Sequence, residues 1–500
     1  MTQKRKPLTP EVTARTTLEP DPQGMFQAIS RIGYQIQESL ADLIDNSIDA
    51  KATKVLVRFF RDGDRLTDLA VVDNGDGMSP TGLQEAMRFG SKNKKGSGEL
   101  GKYGMGMKSA SFNQADTLVV VSKKESVISG RQWTVESIRD GWKLESIDQA
   151  GAAGLINRDW GPVDTSKKGT MVRWERIHRF QVADAANKTF TDLQKTINQH
   201  LGLIFHRFLE DSRLEIYIDL QDISGSTGVR MKVAPLNPFP KKSGDKRYPA
   251  DFHTQLGSHG DLDFRAYIWP PNMPNPEYKL GGKVSQRQGF YFFRNDRLIQ
   301  AGGWNGWRND AEPHSSLARV EINLPPRFDD AFAISVQKNG VNAPPGFISA
   351  VEDARAGRST LNQYARDAIE LYRTSASQKE KPVATVSAGM RLGLRNQITN
   401  LVLVQNPKAQ PIGIRIEWSA NLDEDEIFQI DHAHRTIRLN QDYRSIILEG
   451  GSSSSGDAPI FKTLIYLLLR DDTLRAKSSK QLEERNSLIN ALLLAAIADA

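Results

Sequence analysis

The order of the apolar segments in the first 180 residues limits the fold more than any other feature of this sequence. A long pattern of helical period covers residues 23–50, and strand-like apolar runs follow it, with a short helix and a glycine-rich stretch between them. This order is typical of a sheet that helices cover on one side. It predicts an α+β layer and not an alternating, parallel one. The strand-like runs are residues 54–60, 68–73, 117–122, 131–138 and 170–177.

The length of the chain predicts more than one domain. Its 500 residues exceed what a single hydrophobic core normally organises, so we expect two or three domains. A helical pattern near residues 180–211 separates the first domain from a second one, which includes a strand at residues 214–220. The expected divisions are a flexible arm at 1–21, a first domain at 22–185, a second at 186–350, and a C-terminal region of helices and strands at 351–500.

Composition excludes several classes of protein. With 39% hydrophobic and 25% charged residues, the chain is globular and not disordered throughout. We expect no membrane span, because no apolar run reaches the roughly 18 residues that one needs. The absence of cysteine excludes disulfides, thiolate metal sites and a cysteine nucleophile. Without a secretory signal pattern, the expected location is cytoplasmic. The net charge of +6 permits contact with nucleic acid but only weakly favours it.

Acidic and amide residues recur along one face of the first helical pattern, roughly opposite its apolar stripe. Such a face suits the binding of a divalent cation and a water, although a solvated helix face is the commoner explanation of this pattern taken alone. Its members are Glu38, Asp42, Asn46 and Asp49.

The segment DNGDGM follows an apolar strand directly. Its glycines, Gly75 and Gly77, let the backbone approach a flat ligand, and the carboxylate of Asp73 can accept a hydrogen bond from an exocyclic amine. Met78 ends the segment. An ordinary hairpin turn is the alternative, since many turns contain Asp-Gly.

A glycine-rich segment with two lysines precedes a helix start. Backbone N–H groups and positive charge in such a segment suit phosphates, and a flexible surface loop is the alternative. It is not a P-loop, because Met107 separates Gly106 from Lys108 and Ser109. A fourth signal, Gly169-Thr170 at the start of a strand, indicates almost nothing about function by itself. The candidate residues of the glycine-rich segment are Gly101, Lys102, Tyr103, Gly104, Met105, Gly106, Met107 and Lys108.

Together the four segments resemble the ATPase family shared by DNA gyrase B, Hsp90, histidine kinases and MutL, called GHKL. The segments ADLIDNSIDA and LGKYGMGMKSAS look most like those of MORC-type members. The resemblance covers about residues 22–180. It implies a Bergerat-type ATPase sandwich, in which helices cover a mixed sheet. A β-α transducer-like domain (ribosomal S5 domain 2-like) and a small C-terminal α/β region would follow it.

The resemblance also implies roles for these residues. Asn46 would ligate Mg²⁺, and Asp73 would accept a hydrogen bond from the adenine amine, with Thr170 acting nearby through water. Gly75 and Gly77 would let the base lie against the turn. The residues from Gly101 to Lys108 would form a lid over the phosphates of ATP, and Asp49 and Met78 are counted with the nucleotide-binding residues.

The position of the family's general base holds an aspartate, Asp42, where a glutamate is usual. Aspartate is one methylene shorter, and a displacement of about 1 Å can cost about 10²-fold in rate. We therefore expect slow hydrolysis with Asp42 as the base. An adjusted site or assistance from Glu38, one turn earlier, would raise the rate.

Two further segments resemble the transducer domain of gyrase B and MutL. Residues 335–339 look like its γ-phosphate-sensing loop, with Lys338 as the sensor or, alternatively, as an ordinary surface lysine. Residues 291–299 resemble its strand-turn motif NxR.I. The implied function is a Mg²⁺-dependent ATPase that forms an ATP-dependent homodimer clamp on DNA.

The biological setting implied by the prokaryotic MORC-like members is antiphage defence or restriction-modification, with a nuclease or other defence-system subunits as partners. A chaperone clamp that acts on polypeptide, as Hsp90 does, is the alternative function. A histidine kinase is disfavoured, because no membrane segment and no phosphoacceptor helix pair precede the ATPase segment.

Overall fold

A computed structural model describes residues 14–16, 21–31, 33–90, 100, 106–178, 186–310, 312–333, 340–377, 382–406, 409–448 and 458–499. The chain divides into two compact units, Met1–Arg373 and Thr374–Ala500. Most of the arm expected at residues 1–21 lies outside the described residues.

The first sheet has eight strands in the order β5-β4-β3-β6-β2-β1-β7-β8. Its pairings are antiparallel except between β1 and β7, so the sheet is mixed and the expected α+β layer is confirmed. The elements in chain order are α1 (Pro22–Ser30), α2 (Ile36–Asp49), β1 (Lys54–Asp62), β2 (Arg65–Asp73), α3 (Pro80–Met87), α4 (Gly106–Phe112), β3 (Ala115–Lys124), β4 (Val127–Thr134), α5 (Val135–Arg139), β5 (Glu145–Ile147), α6 (Gln149–Ile156), β6 (Gly169–Ile177), α7 (Ala186–Ile204), α8 (His206–Glu210), β7 (Glu215–Asp222) and β8 (Met231–Lys232).

Helix caps interrupt two of the expected elements. The single helix expected at 23–50 is in fact α1 and α2, because Gly33 adopts a left-handed φ of 86° between them. Gln35 and Glu38 then form a capping box at the start of α2. The strand expected at 131–138 ends at Thr134, whose side chain accepts a hydrogen bond from the amide of Ser137 and begins α5.

The strand expected in the second domain at residues 214–220 belongs to the first sheet. It is β7, which runs parallel to β1. A buried ion pair joins the two strands, with Arg58 Nε 2.8 Å from Asp219 Oδ1. That assignment was therefore wrong, and the first sheet extends beyond the expected boundary at residue 185.

Helices cover the two faces of the first sheet unequally. Residues of α1, α2, α4 and α7 pack on one face, where Leu40, Ile44 and Ile197 are fully buried. The opposite face packs against α6 and Trp160. The expectation that helices cover one side only was thus incomplete, since α6 shields part of the other face.

The second sheet has the order β12-β11-β13-β10-β9-β14-β15. Its strand β11 is buried on both sides, and successive side chains of a strand point to opposite faces. Phe290 and Phe292 accordingly lie in the core of the second sheet, whereas Tyr291 and Phe293 lie in the core of the first. The elements are β9 (Ala250–Gln255), β10 (Asp261–Ile268), α9 (Pro276–Lys279), β11 (Gly289–Arg294), β12 (Arg297–Ala301), β13 (Ala318–Asn323), α10 (Phe347–Asp353), β14 (Arg355–Ala356), β15 (Ser359–Thr360) and α11 (Leu361–Ser377).

Helix α11 packs on the second sheet, with Leu361, Tyr364 and Ala368 in its core. The boundary expected near residue 350 stays a prediction, but α10 and this part of α11 share a core with the strands before it. The transducer-like architecture also stays a prediction.

The unit Thr374–Ala500 contains a four-stranded sheet in the order β16-β17-β19-β18. Its core includes Ile414, Ile416 and Leu469. Across the described parts of the whole chain, no helix combines the length and hydropathy that a membrane span requires. The elements of this unit are β16 (Val383–Ala388), α12 (Leu392–Gln405), β17 (Pro411–Ser419), β18 (Phe428–Asp431), β19 (Thr436–Asn440), α13 (Arg444–Ile447), α14 (Pro459–Thr473) and α15 (Lys480–Ala498).

Candidate functional site

The buried carboxylate of Asp73 joins the end of β2 to helix α2. The hydroxyl of Ser47 on α2 donates to Asp73 Oδ2 at 2.9 Å, and the amide of Gly75 donates to Oδ1 at 2.8 Å. Asp73 is only 5% exposed. The first two sequence signals, on α2 and in the turn after β2, therefore lie side by side.

Burial raises the pKa of Asp73 to about 6, while hydrogen bonds from Gly75, Ser47 and Thr170 oppose that rise. At pH 7 the carboxylate is mainly ionised and acts only as an acceptor. Each of its oxygens can accept more than one hydrogen bond. An N–H donor can therefore bind Asp73 in addition to Ser47 and Gly75.

Gly75 and Gly77 are needed by the turn itself. A Cβ on Gly77, whose φ is 68°, would lie 2.0 Å from the carbonyl oxygen of Lys123. A Cβ on Gly75 would lie 2.8 Å from the carbonyl oxygen of Ala50. The turn is thus packed tightly between the end of α2 and β3, which is a different reason for glycine from the one expected. Close approach of a ligand stays a prediction.

Ser122 on β3 organises the neighbourhood of Thr170 and Met78. Its hydroxyl lies 2.9 Å from Thr170 Oγ1 and accepts a hydrogen bond from the amide of Met78 at 2.8 Å. Thr170 is paired with Asp73 across β6 and β2. Sequence reasoning missed Ser122 and Ser47, because a serine carries no motif signal when its partners are distant in the chain.

Asp42 is buried on α2 beside the first residue of α4. It is 4% exposed, so the solvated-face explanation is wrong for this residue. A Cβ on Gly106 would lie 3.4 Å from Asp42 Oδ2. Burial, and then the negative charge of Asp42, raises the pKa of Tyr34 above its ordinary value. The structure thus brings together Asp42, Tyr34 and the start of α4.

The other acidic and amide residues on this face of α2, which are Asn46, Asp49 and Glu38, also make hydrogen bonds. Asn46 Nδ2 donates to the carbonyl oxygen of Asp42 at 3.1 Å, so the amide oxygen Oδ1 is the end of the side chain that can ligate a metal. Asp49 Oδ1 accepts from the amide of Leu100 at 2.7 Å. Glu38 Oε2 accepts from the amide of Gln35 at 3.1 Å as part of the capping box, so its proposed assistance in hydrolysis stays a prediction.

Lys108 is buried on α4, and its ammonium donates to the carbonyl oxygen of Ala86 near the end of α3 at 2.9 Å. Met107 is partly buried against the first core. The expected proximity of Lys108 to phosphates stays a prediction. The remaining candidates of the glycine-rich segment, Gly101, Lys102, Tyr103, Gly104 and Met105, lie outside the described residues, and so does Lys338.

The site fits a Mg²⁺ ion held mainly by a phosphorylated ligand. Within the ranges that the structure describes, no group of three or more histidine or carboxylate side chains is placed to hold a metal. Mg²⁺ commonly keeps several waters and binds through one or two protein oxygens plus substrate phosphates. The amide oxygen of Asn46 can supply one such protein oxygen.

Comparison with known proteins confirms the resemblance over this part of the chain. Residues 34–170 match the family model described as histidine kinase-, DNA gyrase B-, and HSP90-like ATPase. The match includes α2, the turn at Asp73 and Thr170. The segment that builds the candidate site is therefore similar to GHKL-type ATPase domains.

Among curated proteins, "ATPase MORC2B" of Mus musculus is 35% identical over 95 residues, which are 18% of this chain and 9% of that protein. "Protein MICRORCHIDIA 6" of Arabidopsis thaliana is 33% identical over 89 residues, which are 17% of this chain and 13% of that protein. The chain thus matches only about a tenth of the length of these relatives. A solved structure titled "Crystal Structure of N terminal domain of a DNA repair protein" covers 71% of this chain and 96% of its own, at 15% identity with a TM-score of 0.38, which is too low to support an argument.

Proposed function

We propose that the domain containing residues 34–170 binds Mg-ATP and hydrolyses it slowly. The observation that carries the proposal is the buried carboxylate of Asp73, held by Ser47 of the helix that also presents Asp42 and Asn46. One helix thereby links a group suited to the base of a nucleotide with groups suited to its phosphates.

Asp73 would recognise the adenine. Its ionised carboxylate accepts from the exocyclic amine of the base, in addition to the hydrogen bonds from Ser47 and Gly75. Hydrogen bonds that involve a charged group contribute about 1.5–3 kcal/mol each. Thr170 lies beside Asp73 on the neighbouring strand and Ser122 lies beside Thr170, so their hydroxyl groups would hold a bridging water there.

Asn46 and Asp42, one helical turn apart, would serve the phosphates. A bound Mg²⁺ neutralises phosphate charge, and Asn46 would hold it through its amide oxygen. Asp42 would accept a proton from the water that attacks the γ-phosphorus, while the bond from that phosphorus to the ADP oxygen breaks. Gly101 to Met107 and Lys108 would close over the phosphates.

The expected reaction is slow, because Asp42 replaces the longer glutamate of the family pattern. A Cβ on Gly106 would lie 3.4 Å from Asp42 Oδ2, which supports a position of the carboxylate close to the start of α4. Even so, a base displaced by about 1 Å from the attacking water can lose about 10²-fold in rate.

The substitution D42N tests this assignment. Asparagine keeps the size of the side chain but cannot act as the base, so we expect hydrolysis to fall by about 10²-fold or more. Affinity for Mg-ATP, measured by calorimetry, should change by less than about threefold, because Asp42 serves only the reaction.

The control is D140N, which changes an exposed carboxylate paired with Lys143 and should leave both quantities unchanged. Hydrolysis by D42N at the wild-type rate would remove Asp42 from the mechanism. If calorimetry detects no heat on adding Mg-ATP to the wild type, the nucleotide-binding proposal itself fails.

We further propose that ATP binding pairs two chains into a clamp that acts on DNA. The similarity to MORC-type ATPases and the net charge of +6 support this, and Lys338 would sense the γ-phosphate. Antiphage defence, with a nuclease or other subunits as partners, is the setting in which we place it.

DNA binding of this kind must weaken steeply with salt, because it releases counterions from the phosphates. Titration of long duplex DNA at 50 and 200 mM salt, with and without ATP, measures that dependence. Binding of unfolded polypeptide without any binding of DNA would instead favour the chaperone alternative.

A further inference from the structure

An arginine of the second sheet lies against the helix that carries Asp42. Arg297, the first residue of β12, donates from Nε to Asp45 Oδ1 at 2.8 Å. Its terminal nitrogen Nη2 lies 3.9 Å from Asp42 Oδ1. The side chains of all three residues are at most 3% exposed. A guanidinium from one sheet thus lies between two carboxylates on α2.

The geometry of the hairpin fixes the position of Arg297. Asn295 and Asp296 connect β11 to β12 with φ values of 47° and 65°, as a tight two-residue hairpin turn requires. The carboxylate of Asp296 accepts from Arg207 at 3.3 Å and from Arg213 at 2.9 Å. Arg207 also binds Asn323 of β13 at 2.8 Å. These contacts anchor the tip of the hairpin immediately before Arg297.

Stability alone is a weak explanation for such a cluster. Removing charges from water costs several kcal/mol per ion, and a buried ion pair is often no more stabilising than an apolar replacement. The guanidinium is a rigid planar fork, so fixing Nε on Asp45 also fixes the direction of the outer nitrogens. One of them faces Asp42. Orientation of Asp42 explains this arrangement better than stability does.

We propose that Arg297 is a positioning residue that holds the carboxylate of Asp42 in place for hydrolysis and links it to the β11–β12 hairpin. Arg297 acts through Asp42, with Asp45 as its anchor. The inference rests on the proposed function, because Asp42 is there the base. Its consequence is that a movement of the second sheet changes the rate of the chemical step more than the affinity for ATP.

The test uses the double variant D45N/R297Q in the full-length chain. Changing both members of the pair leaves no unpaired charge between them, so the double variant should fold, whereas R297Q alone would leave the buried carboxylate of Asp45 without this guanidinium and destabilise the chain. We expect kcat for ATP hydrolysis to fall about 10-fold to 10²-fold, as for a base displaced by about 1 Å. The Kd for Mg-ATP, measured by calorimetry, should stay within about threefold of the wild type. R297K, which keeps the positive charge, should retain more of kcat than D45N/R297Q.

The matched control is R294Q/D329N. Arg294 belongs to the same hairpin and forms a buried pair with Asp329, at 2.8 and 2.9 Å. This control removes an equivalent buried ion pair neither of whose members lies on α2, so it should lower the unfolding temperature but leave kcat within about twofold. If Arg297 had only a structural role, D45N/R297Q and R294Q/D329N would change stability and kcat in the same way.

Three results would overturn the inference: an unchanged kcat in folded D45N/R297Q, an equal loss of kcat in R294Q/D329N, or a loss of ATP affinity that parallels the loss of kcat. If the wild-type chain binds and hydrolyses ATP and one of these three results is obtained, only the role of Arg297 is contradicted. A wild-type chain that does neither contradicts the proposed function as well.

Discussion

Asp73 is the residue on which the nucleotide assignment depends most directly. In D73N the amide oxygen can still accept from the amide of Gly75, but the NH₂ group that then faces Ser47 can no longer accept a hydrogen bond from its hydroxyl. The adenine amine also loses a charged acceptor. We expect Kd for Mg-ATP to rise about 10-fold to 10²-fold, which corresponds to the loss of one hydrogen bond to a charged group.

The control for D73N is D76N, measured in the same calorimetric titration. Asp76 belongs to the same turn but is exposed and paired with Lys168 at 2.8 Å, so D76N should bind Mg-ATP nearly as well as the wild type. Unchanged affinity in D73N would mean that the base does not bind at this carboxylate.

The raised pKa of Asp73 also predicts that pH has opposite effects on the stability of the chain and on its affinity for Mg-ATP. Because the pKa rises from 3.8 to about 6 on folding, its contribution to stability is present below about pH 4 and is lost as the pH rises through 6. Binding of adenine needs the ionised carboxylate, so affinity for Mg-ATP should instead fall about tenfold from pH 7 to pH 5. Calorimetry at both pH values on the wild type and D73N separates this effect from titration of the nucleotide, since D73N lacks it. Equal pH dependence in both proteins would contradict the assignment.

The sequence predicted the residues that belong to compact motifs and missed those that act across the fold. Asp42 and Asn46 share a helix face, and Asp73 follows a strand directly, so local spacing identifies them as candidates. Arg297 is 252 residues from Asp45, and no local pattern connects the two. Two signals were present: Arg297 is the arginine of the segment at residues 291–299 that resembles the motif NxR.I, and Asp45 follows Ile44 on the apolar side of α2, where a buried carboxylate requires a partner.

The turn after β2 shows how one backbone position can limit the whole site. Gly77 has a left-handed φ, and a Cβ there would collide with the backbone of Lys123. We expect G77A to lower the free energy of unfolding by about 2–5 kcal/mol, from unfavourable φ together with overpacking, and to abolish ATP binding as the turn moves.

Gly63 provides the matched control for G77A. It lies in the β1–β2 turn with a φ of 55°, and a Cβ there would meet no atom within 4 Å. The free energy of unfolding of G63A should therefore fall only by the cost of an unfavourable φ, about 1–2 kcal/mol, and G63A should bind ATP normally. Urea unfolding of both variants measures the difference. Equal losses would show that the contact with Lys123 contributes nothing.

Caps and long-range pairing explain why the elements were predicted only in part. The strands β1 and β2 follow from their apolar runs, but Gly33 and the Gln35–Glu38 capping box divide a continuous helical pattern. Strand β7 follows a helix that looked like a domain boundary, and only its pairing with β1 reveals its place. The apolar pattern specifies that a segment is a strand, whereas the partner depends on the rest of the fold.

Within the unit Met1–Arg373, strand β11 of the second sheet contributes side chains to both hydrophobic cores. Tyr291 and Phe293 pack in the first core while Phe290 and Phe292 pack in the second, so the strand cannot move without repacking one of them. Packed interfaces of this kind change between discrete arrangements and do not deform continuously. A nucleotide-dependent change near α2 would therefore be transmitted to the second sheet and, in the proposed clamp, from there to the paired chain.

The clamp proposal predicts that oligomeric state depends on nucleotide. We expect a monomer without nucleotide and a dimer with Mg²⁺ and a non-hydrolysable ATP analogue, measured by light scattering after size-exclusion chromatography. The reason is linkage: a ligand that binds the paired state more tightly shifts the population toward it by its differential affinity. D42N, which should bind ATP without hydrolysing it, should dimerise with ATP itself and remain paired, whereas D73N should need a higher nucleotide concentration. A chain that stays monomeric with the analogue bound would exclude the clamp and leave the nucleotide site intact.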